Sequence, residues 1–211
     1  MFLKLAVFDF DSTLMEGETI DFLARELGLE AEVAAITHEA MEGRLDFFAS
    51  LVKRVALLKG LPKSKVDEIC MSLPFVNGAM ECVSGLKSRG YKVVCFSGGF
   101  RNATAHAATI LGLDADFSNT LHHEDGILTG IVGGEMMFGS SKGEMLLRLQ
   151  GLLGISIENT IAVGDGANDL SMFAHAGTRI AFCAKPILKE AASHTIDERD
   201  LTLVLNIVDS I

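Results

Sequence analysis

Four clusters of residues in this chain have types and spacings that could do chemistry. The first is Asp9-Phe10-Asp11-Ser12-Thr13, which closes a short apolar run beginning at Leu3. Alternation along a strand points Asp9 and Asp11 the same way until the chain leaves the sheet, and paired carboxylates are costly there without a cation. A solvated strand end that turns on Asp and Ser would use the same residues. An EF-hand calcium loop is excluded, because Leu14 stands where the loop needs glycine and Ile20 where it needs glutamate.

The second cluster, Ser97-Gly98-Gly99, follows the run Val93 to Phe96 and offers a hydroxyl and free backbone amides at the start of the next helix. That arrangement cradles phosphate, although a plain strand-to-helix turn would use the same glycine pair. The third, Ser141-Lys142-Gly143-Glu144, reads as a capping box opening the helix of Leu146, Leu149 and Leu153. It puts Lys142 in the first turn, where the helix dipole opposes a cation by up to ~1 kcal/mol. A bound phosphate would turn that charge to use; a solvated surface lysine is the plain alternative. The fourth, Gly164-Asp165-Gly166-Ala167-Asn168-Asp169, sits where a dinucleotide-binding G-x-G-x-x-G is expected, but Asp169 replaces the last glycine. Its two carboxylates would repel a pyrophosphate and suit Mg²⁺, a hard cation that takes oxygen ligands.

The elements that must position these clusters follow from periodicity. Leu3 to Phe10 is patterned as a strand buried on both faces. Helical spacing then takes over in Ile20, Leu23, Ala24 and Leu27, again in Val33, Ile36 and Ala40, in Phe48, Leu51, Val52 and Val55, and in Val66, Ile69 and Cys70 after Pro62. From Pro74 the pattern alternates: helix 78–89, strand 93–96, helix 101–111, helix 142–153, strand 160–163, helix 168–176, strand 179–182. Between them, Asp125-Gly126 and Gly133-Gly134 punctuate residues 117–138 as hairpin turns would. The expected fold is an α/β core, a doubly wound parallel sheet over residues 1–14 and 75–211, with a small β-hairpin. An all-helical insert over 15–74 follows strand one, where the strands' carboxyl ends open, and is placed to act as a lid.

Composition narrows the function classes. The 211 residues carry 28 acidic and 18 basic side chains, net charge −10, a surface that repels nucleic acid and anionic lipid. No stretch free of Asp, Glu, Lys and Arg exceeds twelve residues, short of the ~18 needed to cross a bilayer. Asp9 and Asp11 interrupt the apolar opening too early for a secretory signal. The four cysteines lie at least twelve residues apart and form no CxxC pair, and the six histidines show no metal spacing. The expectations are no nucleic acid, no membrane, reduced thiols and a cytoplasmic location; a monomer or a homodimer is left open.

Taken together, the four clusters in this order, each at a strand end or helix start, resemble the haloacid dehalogenase superfamily of phosphohydrolases. The similarity extends through Glu18-Thr-Ile-Asp, Ile36-Thr-His-Glu-Ala-Met41-Glu-Gly, Lys53-Arg54-Val, Asp125-Gly-Ile-Leu-Thr-Gly130 and Ala181-Phe-Cys-Ala-Lys-Pro186. The stretch Glu135 to Ser141 departs from the family pattern. The resemblance implies a Rossmann-like sheet with a helical cap, and Mg²⁺-dependent hydrolysis of O-phosphoserine, the last step of serine biosynthesis. It implies Asp9 as a nucleophile that becomes an aspartyl phosphate and Asp11 as general acid and then base. Asp9, Asp11 (through its backbone carbonyl) and Asp165 would hold the metal, with Asp169 supporting them. Ser97, Gly98, Lys142 and Asn168 would hold the phosphoryl oxygens, Glu18 and Arg54 the amino and carboxylate groups, and Met41 and Phe47 would line the lid. On a helical wheel at ~100° per residue, Arg54 falls about 20° beyond the arc of Phe47, Leu51, Val55 and Leu58, at the edge between packing and solvent, with Lys53 opposite. The alternatives are a phosphatase or phosphotransferase for another small phosphorylated metabolite, and a noncatalytic phosphoacceptor domain.

Overall fold

The protein's structure is a computed structural model describing residues 3–41 and 44–211, with the side chain of Met41 outside the described set. Strand β1 (Lys4–Asp9) alternates its side chains between two apolar layers. Ala6 and Phe8 enter one core cluster, Leu5 and Val7 the other, so the strand must lie mid-sheet with both faces covered. It pairs in parallel with β2 (Tyr91–Phe100) on one side and β5 (Thr160–Gly164) on the other. Beyond β2 lie β3 (Ala115–Glu124) and β4 (Ile127–Gly134); beyond β5 lie β6 (Thr178–Phe182) and β7 (His194–Ile196). The order is β4-β3-β2-β1-β5-β6-β7, with only β4 antiparallel. Connections run outward in both directions from β1 and β5, which opens a crevice beyond their carboxyl ends.

Four helices, α1 (Thr19–Glu26), α2 (Glu30–Met41), α3 (Phe47–Ala56) and α4 (Lys63–Met71), separate β1 from α5 (Ala79–Ser88), with no strand among the described residues between. The chain leaves and re-enters the core as a paired ribbon: Glu16 N–H donates to the Pro74 carbonyl and Val76 N–H to that of Leu14. The insert packs into the same apolar cluster as α5, α6 (Arg101–Leu111) and α10 (Leu203–Val208). Helices α7 (Ser141–Leu153), α8 (Leu170–Phe173) and α9 (Pro186–Ala191) cover the opposite face. Truncating a fully buried ring such as Phe8 would leave a cavity costing ~3–5 kcal/mol.

Several expectations are corrected. Asp125 and Gly126 do turn a hairpin, both in the left-handed region at φ 48° and 77°. The hairpin joins the main sheet, because β3 pairs in parallel with β2, and Gly133-Gly134, expected as a second turn, ends β4 instead. The far edge of β4 is paired with the insert at its start, where Gly60 N–H donates to the Leu128 carbonyl, Leu128 N–H to that of Leu61 and Lys63 N–H to that of Gly126. The helix expected over 168–176 is a single 3₁₀ turn at 167–169 followed by the short α8. No capping box forms: Ser140, not Ser141, is the N-cap and makes no side-chain cap bond, its hydroxyl instead donating to Glu144 Oε1, while Ser141 Oγ accepts from Phe138 N–H.

Candidate active site

Burial forces the charged groups of the crevice to satisfy one another. Asp9, at the last position of β1, and Asp169, in the 3₁₀ turn after β5, flank Lys142 in the first turn of α7, and the three are 3%, 0% and 3% exposed. Lys142 Nζ lies 2.7 Å from Asp9 Oδ1 and 2.6 Å from Asp169 Oδ1. Burial would lower the ammonium's pKa, but Asp169 and Asp9 outweigh it and hold Lys142 above its ordinary value. The helix dipole that disfavours a cation at this position is overcome by the same two carboxylates. Asp169 is fixed from behind: its Oδ2 accepts from Asp165 N–H and Gly166 N–H at 3.0 Å. The carboxylate lies so close over Gly164 that any side chain there would overlap it, which explains the first glycine of the motif.

One ammonium is too little for this site. Carboxylate oxygens of Asp9, Asp165 and Asp169 all lie within 4.8 Å of one another. Burial first, then Asp169, push the Asp9 carboxyl well above the usual range against the pull of Lys142, and burial and Asp169 push Asp165 up to about 6. Under-neutralised carboxylates offering only oxygen donors fit a hard divalent cation. Asp11 is not among them. Its Oδ1 accepts from Thr19 N–H at 2.7 Å and Thr19 Oγ1 at 2.6 Å, and its Oδ2 from Ser97 Oγ at 3.2 Å, so its carboxylate is turned to the insert and to β2. Burial raises its pKa, with the Thr19 and Ser97 hydrogen bonds opposing. Side chains that share one side of a continuing strand do not describe this pair, because β1 ends at Asp9. Asp169, expected as a supporting residue, stands beside this acidic group with both oxygens engaged, Oδ1 by Lys142 and Oδ2 by the Asp165 and Gly166 amides.

The remaining residues line a cavity of about 480 Å³ between the sheet and the insert, walled by Asp9, Asp11, Glu18, Phe47, Arg54, Gly98, Asp165 and Asn168. Ser97 and Lys142 sit beneath it, buried. Asn168 Nδ2 reaches Asp9 Oδ2 only at 3.5 Å. Gly98 is held by Asn119, whose amide donates to the Gly98 and Met136 carbonyls at 3.0 Å. Ser97-Gly98-Gly99, expected at the start of the next helix, lies instead within the irregular end of β2, one residue before the Phe100 cap of α6; a Cβ at Gly98 would lie 2.7 Å from Phe47 Cζ, so the insert presses directly on this glycine pair. Glu18 opens to solvent through the cavity mouth yet is walled by enough protein that burial, then Asp11, push its carboxyl up to about 8; Ser12 Oγ donates to it at 3.0 Å. Ser12 is itself left-handed, φ 60°, a conformation costing ~1–3 kcal/mol for such a residue. Arg54 is half-buried, its Nε 3.4 Å from the Ser50 carbonyl, and burial lowers its pKa while Glu18 and Asp21 oppose. The side chain of Met41 lies outside the described residues.

Sequence reasoning missed Thr19, Asp21, Asn119 and Lys185. Thr19 takes both hydrogen bonds to Asp11 Oδ1, and Asp21 and Lys185 line the cavity. The first two sit in the Glu18-Thr-Ile-Asp stretch already singled out, where helical register alone would have put Asp21 one turn from the expected ligand Glu18. Asn119 carried no signal, standing among other polar residues of β3.

Comparison with known proteins agrees with this geometry. The haloacid dehalogenase-like hydrolase family matches residues 3–177. A phosphoserine phosphatase of Wolinella succinogenes is 64% identical over 96% of this chain and 98% of its own length, and one of Methanocaldococcus jannaschii is 53% identical over 97% of each. Two solved structures, a phospho-aspartyl intermediate analogue of phosphoserine phosphatase and a substrate-bound phosphoserine phosphatase complex, each superpose with TM-score 0.93 at 52% identity, over 98% of this chain and 99% of theirs. The chain therefore belongs to the haloacid dehalogenase-like hydrolases and, among them, to the phosphoserine phosphatases.

Proposed function

We propose that this phosphatase hydrolyses O-phosphoserine to serine and phosphate, with Asp9 as nucleophile and Asp11 as proton carrier. One observation carries the reading. Asp9 stands at the strand end beside Lys142, while the wall above presents the opposed charges that an amino acid phosphate carries, Glu18 for its ammonium and Arg54 for its carboxylate. Asp9 Oδ attacks phosphorus and the bond from phosphorus to the serine oxygen breaks, Asp11 supplying the proton that oxygen needs. Water then attacks the aspartyl phosphate, Asp11 takes its proton, and phosphate leaves with Asp9 restored. The elevated pKa of Asp11 suits the first role. Ser97, Gly98 and Lys142 hold the phosphoryl oxygens, and Phe47 closes the site against water.

Mg²⁺ is the cation this acidic site would take, held by Asp9, Asp165 and the Asp11 backbone carbonyl with Asp169 adjacent; when bound it neutralises charge on the transferring group. The insert over 15–74 acts as the lid. The test measures phosphate released from phosphoserine, phosphothreonine and an aryl phosphate with and without Mg²⁺, and maps the phosphoryl group trapped during turnover. Preference for phosphoserine and label on Asp9 are expected. Equal rates on all three esters, or label on Ser97, would refute the reading.

A further inference from the structure

Two exposed phenylalanines face each other across the cavity rim from different parts of the fold. Phe48, in the first turn of α3, and Phe138, in the loop between β4 and α7, stack with ring centroids 5.2 Å apart and planes 13° from parallel, although they are 40% and 57% exposed. Phe48 lies off the buried face of α3, which is Ser50, Leu51 and Val55, so it has no core to enter. The sequence neighbour of each ring lines the cavity, Phe47 on one side and Gly139 on the other. The Phe138 side is rigid: its own N–H donates to Ser141 Oγ at 3.1 Å, and Met136 N–H donates to the buried Asn119 at 3.0 Å. At its carboxyl end α3 is held on β4, where Gly130 packs close to Ala56 and Lys59. At its amino end, contacts with the core include Phe47 on Gly98 and this stack.

We propose that Phe48 and Phe138 form an aromatic clasp that seats the amino-terminal turn of α3 on the core and thereby positions Phe47 and Arg54 over the reaction site. Neither ring touches the substrate space; both act through the residues beside them. The clasp joins insert to core at a place separate from the paired ribbon of residues 14–16 and 74–76. Its consequence for binding rests on the phosphoserine reading above.

The test uses the full-length enzyme as wild type, Phe48→Ala, Phe138→Ala, the double variant and Phe138→Tyr, which keeps the ring face. Each alanine variant should raise KM for phosphoserine about two- to tenfold, the range an aromatic pair supports, with kcat changed less than about twofold. Because one contact is lost in every case, the double variant should be no worse than either single, and Phe138→Tyr should stay near wild type. Hydrogen exchange of amides 49–52 should quicken equally in the three alanine variants while β2 and α7 are unchanged. An unaltered KM with a lowered Tm, or single effects that multiply in the double variant, would overturn the clasp. If wild type fails to release phosphate from phosphoserine, the substrate reading falls, and the exchange rates alone then decide the clasp: unchanged exchange refutes it and matched acceleration supports it.

Discussion

Lys142 meets Asp9 and Asp169 at 2.7 and 2.6 Å where solvent barely reaches, whereas across the cavity, among the described residues, Glu18 and Arg54 find only Ser12 Oγ at 3.0 Å and the Ser50 carbonyl at 3.4 Å. The first trio is over-determined: backbone amides pin Asp169, Gly164 leaves room for it, and β1 delivers Asp9. The second pair keeps most of its bonding capacity free. A site that must stabilise the same phosphoryl charge in every turnover gains from groups fixed in advance. One that must tell substrates apart gains from groups left unsatisfied until the right ligand arrives, since a wrong ligand then leaves them unpaired.

The contrast can be broken at either end. The largest effect is expected at the fixed end. Asp9→Asn should lower kcat at least about a thousandfold while circular dichroism and Tm stay close to wild type, because the amide keeps the shape and loses the nucleophile; near-normal turnover would end the mechanism. Lys142→Met should remove the single buried cation from among Asp9, Asp165 and Asp169, and without divalent cation it should destabilise the fold by ~3–5 kcal/mol in denaturant titration. Mg²⁺ should restore part of that loss, and a variant indifferent to Mg²⁺ would contradict a metal at these carboxylates. Chelation of wild type should abolish turnover reversibly.

At the adjustable end the effects should be smaller and selective. Arg54→Ala removes a charge-assisted contact worth roughly 1.5–3 kcal/mol, so kcat/KM for phosphoserine should drop about ten- to a hundredfold. An aryl phosphate, lacking the carboxylate, should lose far less. Equal losses on both would assign Arg54 to the shared chemistry.

The smallest expected effect concerns Glu18. Its carboxyl is raised from 4.5 to about 8 in the folded protein, so across that window the folded state holds a proton that the unfolded chain has released. Stability from this group is present below pH 4.5 and lost as pH rises towards 8. Between pH 5 and 8, without divalent cation, wild type should therefore lose more in Tm than Glu18→Gln; parallel curves would show that Glu18 ionises freely.

The same contrast governs how much could be read from the residues alone. The fixed half was legible because strand ends and helix starts are marked by composition: Asp9 after an apolar run, Lys142 before a helical stripe, Gly-Asp-Gly after β5. Arg54 was also legible, since its position at the margin of the α3 stripe follows from helical period. Direction of side chains was not. Asp11 turns to Thr19 because the chain leaves the sheet at Asp9, and Asp169 folds back over Gly164 to meet Lys142 and two backbone amides, both tertiary facts. The N-cap at Ser140 was missed because Ser141, not Ser140, has the glutamate three residues on that marks a capping box. The place of the hairpin depended on the pairing of β3 with β2, which no local turn signal reports.

The hydrogen bonds from residues 60–63 to β4 carry a further consequence. An open sheet ends in a row of unpaired amides and carbonyls, a template on which a second chain can build. Here the insert already occupies the start of that row, at residues 126–128, on a strand whose Ile127 and Ile131 are 43% and 61% exposed. Excising residues 15–74 to make a minimal phosphatase would therefore strip the guard from a sticky margin, and such a truncation should self-associate before its lost selectivity could be measured.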